Sequence, residues 1–286
     1  MHHKICAPVI IIGMHRSGTS MIARMLEMLG LFVGKKKQQD HEAFFFVNIN
    51  DWLFNQSGGR WDYPVPIHYI LKDKEIRILV ADYIKYLMKT PHIVSFLGWM
   101  KYLHYHTPFN LDFPWGWKDP RNTYTLPLWL DIFPDAKVVH IYRHGVDVAN
   151  SLKVRREALL TRAKELYKSR KLLYWFRQKT GYFTDTIRCA SLEGAFSLWE
   201  EYIEEARTNI RESKKPSMEL KYEDFLAEPY TTIKSLVSFC DLLATDVSIV
   251  KVAEYVKKER AYAYKDNLEL KIFSEQVAER LRLKGY

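Results

Sequence analysis

Gly13, Arg16, Ser17, Gly18, Thr19 and Ser20 follow directly on an unbroken apolar run, Val9-Ile10-Ile11-Ile12. A glycine turn after a buried strand, a second glycine, and then a hydroxyl pair opening a helix is the layout of a loop that wraps a phosphate-type anion. Its backbone N–H groups converge on the ligand, and the helix N-terminus adds partial positive charge. The glycines let the chain bend and approach the anion closely. The ATP- and GTP-binding version requires Lys immediately before the last Ser or Thr, to reach the terminal phosphates. Thr19 holds that place here, and the cation stands further back, at Arg16. The loop therefore suits a 5′-phosphate-type anion in a chemistry other than NTP hydrolysis. The alternative is an ordinary strand–turn–helix connection.

A second constellation points the same way. Lys137-Val-Val-His-Ile-Tyr142 reads as a buried parallel strand that delivers Arg143 at its C-terminal end, with Ser151 on the helix that follows. An Arg at a strand end and a Ser on the next helix can hold one phosphate from two sides. Ligands of open α/β sheets sit at the carboxyl ends of the strands, where Arg16 and Arg143 would both lie. An ATPase would place an Asp at such an end, for magnesium.

With these residues in view, the chain resembles sulfotransferases that use 3′-phosphoadenosine 5′-phosphosulfate (PAPS), in their bacterial and tyrosylprotein-sulfotransferase-like branch. Four blocks carry the resemblance, in the family's order between residues 9 and 229: Gly13–Ser20, Trp115-Gly-Trp-Lys-Asp-Pro-Arg121, Arg143 to Ser151, and Leu220-Lys-Tyr-Glu-Asp-Phe-Leu-Ala-Glu-Pro229. The resemblance implies that Arg16, Ser17, Gly18, Thr19 and Ser20 bind the 5′-phosphosulfate, and that Arg143 with Ser151 binds the 3′-phosphate. It also implies that Lys118 contacts the sulfuryl region, and that a Glu soon after the first helix serves as base. The chain departs from the pattern in three places. Arg143-His144-Gly145 stands where the family often has Arg-Asp-Pro, which would loosen the turn. The Thr-His-Leu-Pro segment and the C-terminal Arg-Lys-Gly block of the cytosolic members are both missing.

Sulfuryl transfer by in-line attack leaves three tasks to the protein: hold the donor, stabilise charge on the bridging oxygen, and deprotonate the acceptor. The sulfuryl group carries less negative charge than a phosphoryl group, so fixed cations and backbone donors suffice and no metal is expected (compare the metal-assisted phosphoryl case). Arg16 serves the first task and, with Lys118, the second; a donor aimed at developing charge is worth a few kcal/mol. A salt bridge to Asp119 is the alternative role of Lys118. Glu42 leads as general base, with Asp40 and His41 behind it, in a segment that otherwise reads as a polar loop. Arg121 and Asp119 would orient Lys118 or close the nucleotide pocket.

Strands are expected near Val9–Gly13, Trp115–Lys118, Val138–Tyr142 and Ser217–Lys221. Helices are expected near Ser20–Leu29, Asn48–Asn55, Lys74–Lys89, Leu126–Ile132, Val146–Arg155, Ser191–Glu212, Thr231–Cys240 and Ser274–Lys284. The alternation predicts an α/β fold, a P-loop-type three-layer doubly wound domain with a central parallel sheet. Residues 1–286 are expected to form one such domain. The basic and aromatic stretch 158–189 fits no core strand and reads as an insertion or lid near the acceptor site, or as a solvated helix and loop.

The net charge of +9 suits a polyanionic donor and is also compatible with nucleic acid or membrane surfaces; the expected partners are a small-molecule, glycan or lipid acceptor and no nucleic acid. Cys6, Cys189 and Cys240 have neither disulfide-framework nor zinc spacing, which favours a reducing, cytoplasmic compartment. The apolar run after Ala7 is far shorter than a membrane span needs. His92, His104 and His106 lack metal-ligand spacing. Trp52, Trp61, Trp115 and Trp117 are candidates for stacking on a ligand, although packing is the usual role. The rival functions are a P-loop kinase, against which the missing Lys weighs, and a non-enzymatic polyanion binder, which would need a basic stripe rather than strand-end motifs.

Overall fold

The computed structural model describes residues 5–257 and 260–286. Four parallel strands, β1 (Val9–Ile12), β2 (Gly116–Lys118), β3 (Lys137–Tyr142) and β4 (Ser217–Lys221), form one sheet in the order β2-β1-β3-β4. The register pairs Ile11 with Lys118, Ile12 with His140, and Tyr142 with Lys221. The C-terminal ends thus share one edge of the sheet. The chain leaves β1 for β2 on one side and then crosses to β3 on the other, so the topological switch point falls at β1, where doubly wound sheets take their ligands.

The helices are α1 (Thr19–Met28), α2 (Phe44–Ser57), α3 (Ile67–Lys72), α4 (Lys74–Leu87), α5 (Val94–Tyr105), α6 (Asn122–Ile132), α7 (Gly145–Ser169), α8 (Leu173–Phe176), α9 (Leu192–Ser213), α10 (Tyr222–Ala227), α11 (Pro229–Phe239), α12 (Asp246–Ala253), α13 (Leu268–Gln276) and α14 (Ala278–Leu283). The chain falls into two compact units: one runs up to Arg143 and resumes over Tyr202–Ala261, and the other comprises His144–Glu201 and Tyr262–Tyr286.

The first unit holds the whole sheet, and it is layered because the central strand β1 and most of β3 are buried on both faces. One face, with Val9, Ile11, Val139 and Ile141, packs on Ile22, Leu26, Phe225, Ile233, Leu236 and Ile249 from α1 and α10–α12. The opposite face carries Ile10, Val138 and Trp117. There Trp117 stacks on Phe46 of α2 at 4.0 Å and meets Trp129 of α6 edge-on. Trp115 and Trp117 are fully buried in this aromatic layer, so their role is packing. In the second unit, Gly145 opens α7 so close to Phe196 and Trp199 that a Cβ would lie 2.6 Å from the former. His144 stacks on Tyr264 at 4.4 Å, and Asp147 accepts from the amides of Ala263 and Tyr264. The substitution of Arg-Asp-Pro by Arg143-His144-Gly145 therefore pins the turn by packing, correcting the expectation of a loosened one.

All four strands lie where the sequence puts them. Helices α3, α5, α8, α10 and α12 have no expected counterpart, α6 begins at Asn122 rather than Leu126, and three further helices differ in extent. Helix α2 begins at Phe44 rather than Asn48, because Phe45 and Phe46 are drawn into the aromatic layer. Helix α7 continues through Ser169, past the expected stop at Arg155, over residues of high helix propensity such as Ala158, Leu159, Ala163, Lys164, Glu165 and Leu166. The stretch expected as an insertion is mostly this exposed extension with the short α8 after it. The single C-terminal helix expected over Ser274–Lys284 is two, α13 and α14, meeting at Val277.

Candidate functional site

The loop between β1 and α1 is held open by three residues with positive φ: Gly13 (136°), Arg16 (71°) and Gly18 (97°). Gly13 passes so close to β3 that a Cβ would lie 2.2 Å from the Ile141 carbonyl oxygen. Its amide donates to Thr123 Oγ1 at 3.1 Å, which locks the loop to the start of α6. At Gly18 a Cβ would fall 2.6 Å from the Tyr222 ring. Helix α1 starts with no side-chain cap and no acidic residue in its first turn, leaving the amides of Thr19 and Ser20 for a ligand. Ser17 is fully buried and its Oγ has no hydrogen-bond partner among the described residues. A buried hydroxyl left unmatched inside a cradle of amides fits an oxyanion, because such a group is otherwise costly. Arg16 is exposed at the rim.

Beside the loop, Lys118 ends β2 and is 2% exposed, while Glu42 is 6% exposed in the segment leading to α2. Lys118 Nζ donates to Glu42 Oε1 at 2.7 Å. This single bond corrects the Asp119 alternative for Lys118. The other two base candidates lie elsewhere. Asp40 is exposed. His41 takes a positive φ, pairs with Glu27 at 3.2 Å and accepts from Arg24 Nε at 3.0 Å. Burial and then the Arg24 charge hold its pKa below the usual histidine value.

Asp119 and Arg121 form a separate buried knot. Asp119 accepts from Arg121 Nε and Nη2, each at 2.9 Å, from the Arg121 amide, and from Asn50 Nδ2. Asn50 also donates to Asn122 Oδ1, and its own Oδ1 accepts from Thr125 and Trp129. Arg121 reaches Asp51 with its remaining edge. Complete burial pushes the Asp119 carboxyl well up, with the nearby Glu42 charge adding to the rise. Asn50, Thr123 and Tyr222 were not singled out from the sequence. The signal for Asn50 was a lone amide inside the apolar run of α2; Tyr222 sat unremarked within the fourth block.

Arg143, at the end of β3, lies over the Tyr222 ring at 4.8 Å and donates from Nη2 to the Arg260 carbonyl at 3.0 Å. Tyr222 is thus sandwiched between Gly18 of the loop and the Arg143 guanidinium. Ser151 is half-buried on α7, in the second unit. Trp61 meets His15 of the loop edge-on at 4.8 Å, whereas Trp52 packs on Tyr83. Among the described residues, no three His, Cys, Asp or Glu side chains are grouped as a metal site would need.

The sequence profile of the sulfotransferase family matches residues 8–246. The chain matches no curated protein sequence. Its structure is similar to the sulfotransferase domain from the curacin biosynthetic pathway, with 12% identity, a TM-score of 0.51, and coverage of 96% of this chain and 98% of that one. It is also similar to the sulfotransferase STF1 from Mycobacterium tuberculosis, with 13% identity, a TM-score of 0.45, and coverage of 97% and 78%. At such identities the first likeness speaks for a common fold.

Proposed function

Since this chain belongs to the sulfotransferase family, we propose that the sulfuryl group it transfers comes from PAPS and goes to an acceptor hydroxyl or amine. The observation that carries the choice of donor is the Ser17 hydroxyl, buried and unmatched in a loop that lacks the nucleoside-triphosphate lysine. In this reading Ser17, Gly18, Thr19 and Ser20 hold the 5′-phosphosulfate with backbone amides and hydroxyls, and Arg16 closes over it from the rim. Arg143, held flat against Tyr222, supplies a guanidinium for the 3′-phosphate.

Bound PAPS supplies an activated sulfuryl group with a phosphate as the leaving group. Lys118 then has two roles. One N–H keeps Glu42 in place at 2.7 Å, and the others are directed at the bridging oxygen, where negative charge grows as the S–O bond breaks. Glu42 Oε1 is occupied by Lys118, which leaves Oε2 as the atom that takes the acceptor's proton. The burial of both groups excludes water and strengthens each interaction.

Calorimetry with 3′-phosphoadenosine 5′-phosphate, ADP and ATP–magnesium tests the donor assignment. The expected result is binding of the 3′-phosphorylated nucleotide without metal and much weaker binding of the others. Arg143→Ala should weaken that binding roughly tenfold to a hundredfold, the value of a hydrogen-bonded charge. Preference for ATP–magnesium overturns the assignment in favour of a kinase, and no nucleotide binding overturns it in favour of a polyanion binder.

A further inference from the structure

Among the exposed apolar side chains of the second unit, four lie within one five-residue stretch. Leu172, Leu173, Trp175 and Phe176 are exposed by 83%, 53%, 84% and 88%, and no residue of α8 is buried. The turn that presents them is self-supporting. Leu173 and Trp175 donate backbone bonds to Arg170 and Leu172, and Arg177 donates to Leu173. Tyr174 stacks on Tyr167, which also meets Phe183 edge-on, and Lys179 covers the Phe183 ring at 4.7 Å. Tyr174 and Phe183 therefore pack with Tyr167 into a platform, while Trp175 and Phe176 stay almost fully exposed. A contiguous exposed apolar cluster of this kind marks an interaction surface.

The charge around the cluster says what covers it. Lys168, Arg170, Lys171, Arg177 and Lys179 flank it on both sides, and no Asp or Glu occurs between Lys168 and Thr184. A second copy meeting this face with its own would set cation against cation. A nucleic acid would be served by the cations but would leave the leucines without a partner. An anionic lipid surface satisfies both: Trp and Leu side chains partition into the interface while Lys and Arg reach phosphate headgroups. No helix among the described residues is long and apolar enough to cross a membrane, so attachment here is peripheral.

We propose that residues 168–183 dock the protein on an anionic membrane surface, with Leu172, Trp175 and Phe176 inserted at the headgroup boundary and the flanking Lys and Arg side chains on lipid phosphates. The test is co-sedimentation of the full chain with phosphatidylcholine vesicles, with and without phosphatidylglycerol, at low and raised salt. Binding should need the anionic lipid and weaken with salt. The pair Trp175→Ala and Phe176→Ala should lower the partition at least about tenfold, as should Lys171→Glu with Arg177→Glu, all with unchanged circular dichroism. Three results overturn the proposal. The first is no sedimentation with anionic vesicles. The second is sedimentation indifferent to Trp175→Ala and Phe176→Ala, which reduces the segment to plain charge. The third is a dimer in gel filtration that the same pair dissolves without any vesicle binding, which gives the face to a second copy. Nucleotide calorimetry is independent of every outcome, so a failed donor assignment stays distinguishable from a failed membrane assignment.

Discussion

Lys118 and Arg121 flank the same proline turn at the end of β2, both buried and both facing a carboxylate, yet their surroundings are opposite. Asp119 receives its four hydrogen bonds from Arg121 and Asn50, and the knot extends through Asn122, Thr125 and Trp129. Glu42 and Lys118 share one bond and nothing more from side chains. A carboxylate whose lone pairs are all committed is rigid and chemically quiet. A pair joined by one bond keeps protons and an oxygen for a ligand, and its burial goes uncompensated until the ligand arrives. In the proposed mechanism the first pair serves the fold and the second serves the chemistry.

Glu42→Gln should break the comparison most visibly. The amide oxygen still accepts from Lys118, so thermal stability should stay close to that of the parent while turnover falls by about 10²–10⁴, the loss expected for a general base. Retained turnover in an acceptor assay would make Glu42 as structural as Asp119. Asp119→Ala acts on the other side of the comparison. It leaves the buried Arg121 guanidinium with Asp51 alone and should cost up to about 3–5 kcal/mol in denaturant unfolding, while nucleotide binding by the folded fraction persists. A stability close to that of the parent would show that the knot is dispensable. Thr123→Val is smaller and finer: the Gly13 amide loses its acceptor, for about 1–3 kcal/mol. That loss should also appear as weaker nucleotide binding, since the loop is no longer tied to α6.

The sheet and the loop were legible for a simple reason. Val9–Ile12 is a continuous apolar run, and Val138–Tyr142 is apolar but for His140, as suits parallel strands covered on both faces. The glycines at 13 and 18 mark positive φ that other residues rarely adopt. Helix α2 was only partly legible, because Phe44-Phe-Phe-Val47 has no amphipathic period; its helicity comes from stacking on Trp117, a tertiary contact. Helix α6 hid its first turn for a different reason: Pro127 reads as a helix start but lies inside the helix, five positions after Asn122. In the site, Glu42 and Lys118 are 76 residues apart, so no local spacing announces their bond; the family resemblance suggested both residues. The Asn50 knot spans a similar distance and had no resemblance to reveal it.

A third carboxylate–cation group sharpens the comparison from its weak end. Glu219 on β4 accepts from His140 Nδ1 at 2.9 Å and from Arg207 at 3.3 Å, but its side chain is 37% exposed. Partial burial alone would raise its pKa; the hydrogen bond and charge of His140, with Arg207 behind them, outweigh it and hold the carboxyl below the usual glutamate value. A carboxylate with a depressed pKa in the fold stabilises above its unfolded pKa, and that stability disappears as pH falls through the folded value. Solvent screening keeps the contribution below about 1 kcal/mol. Glu219→Gln should therefore be slightly less stable than the parent at neutral pH, and the two unfolding curves should converge once the medium is acidic enough to protonate the native carboxyl. A gap that stays constant down to that acidity would mean that the Glu219 side chain acts by packing and that its charge contributes nothing to stability.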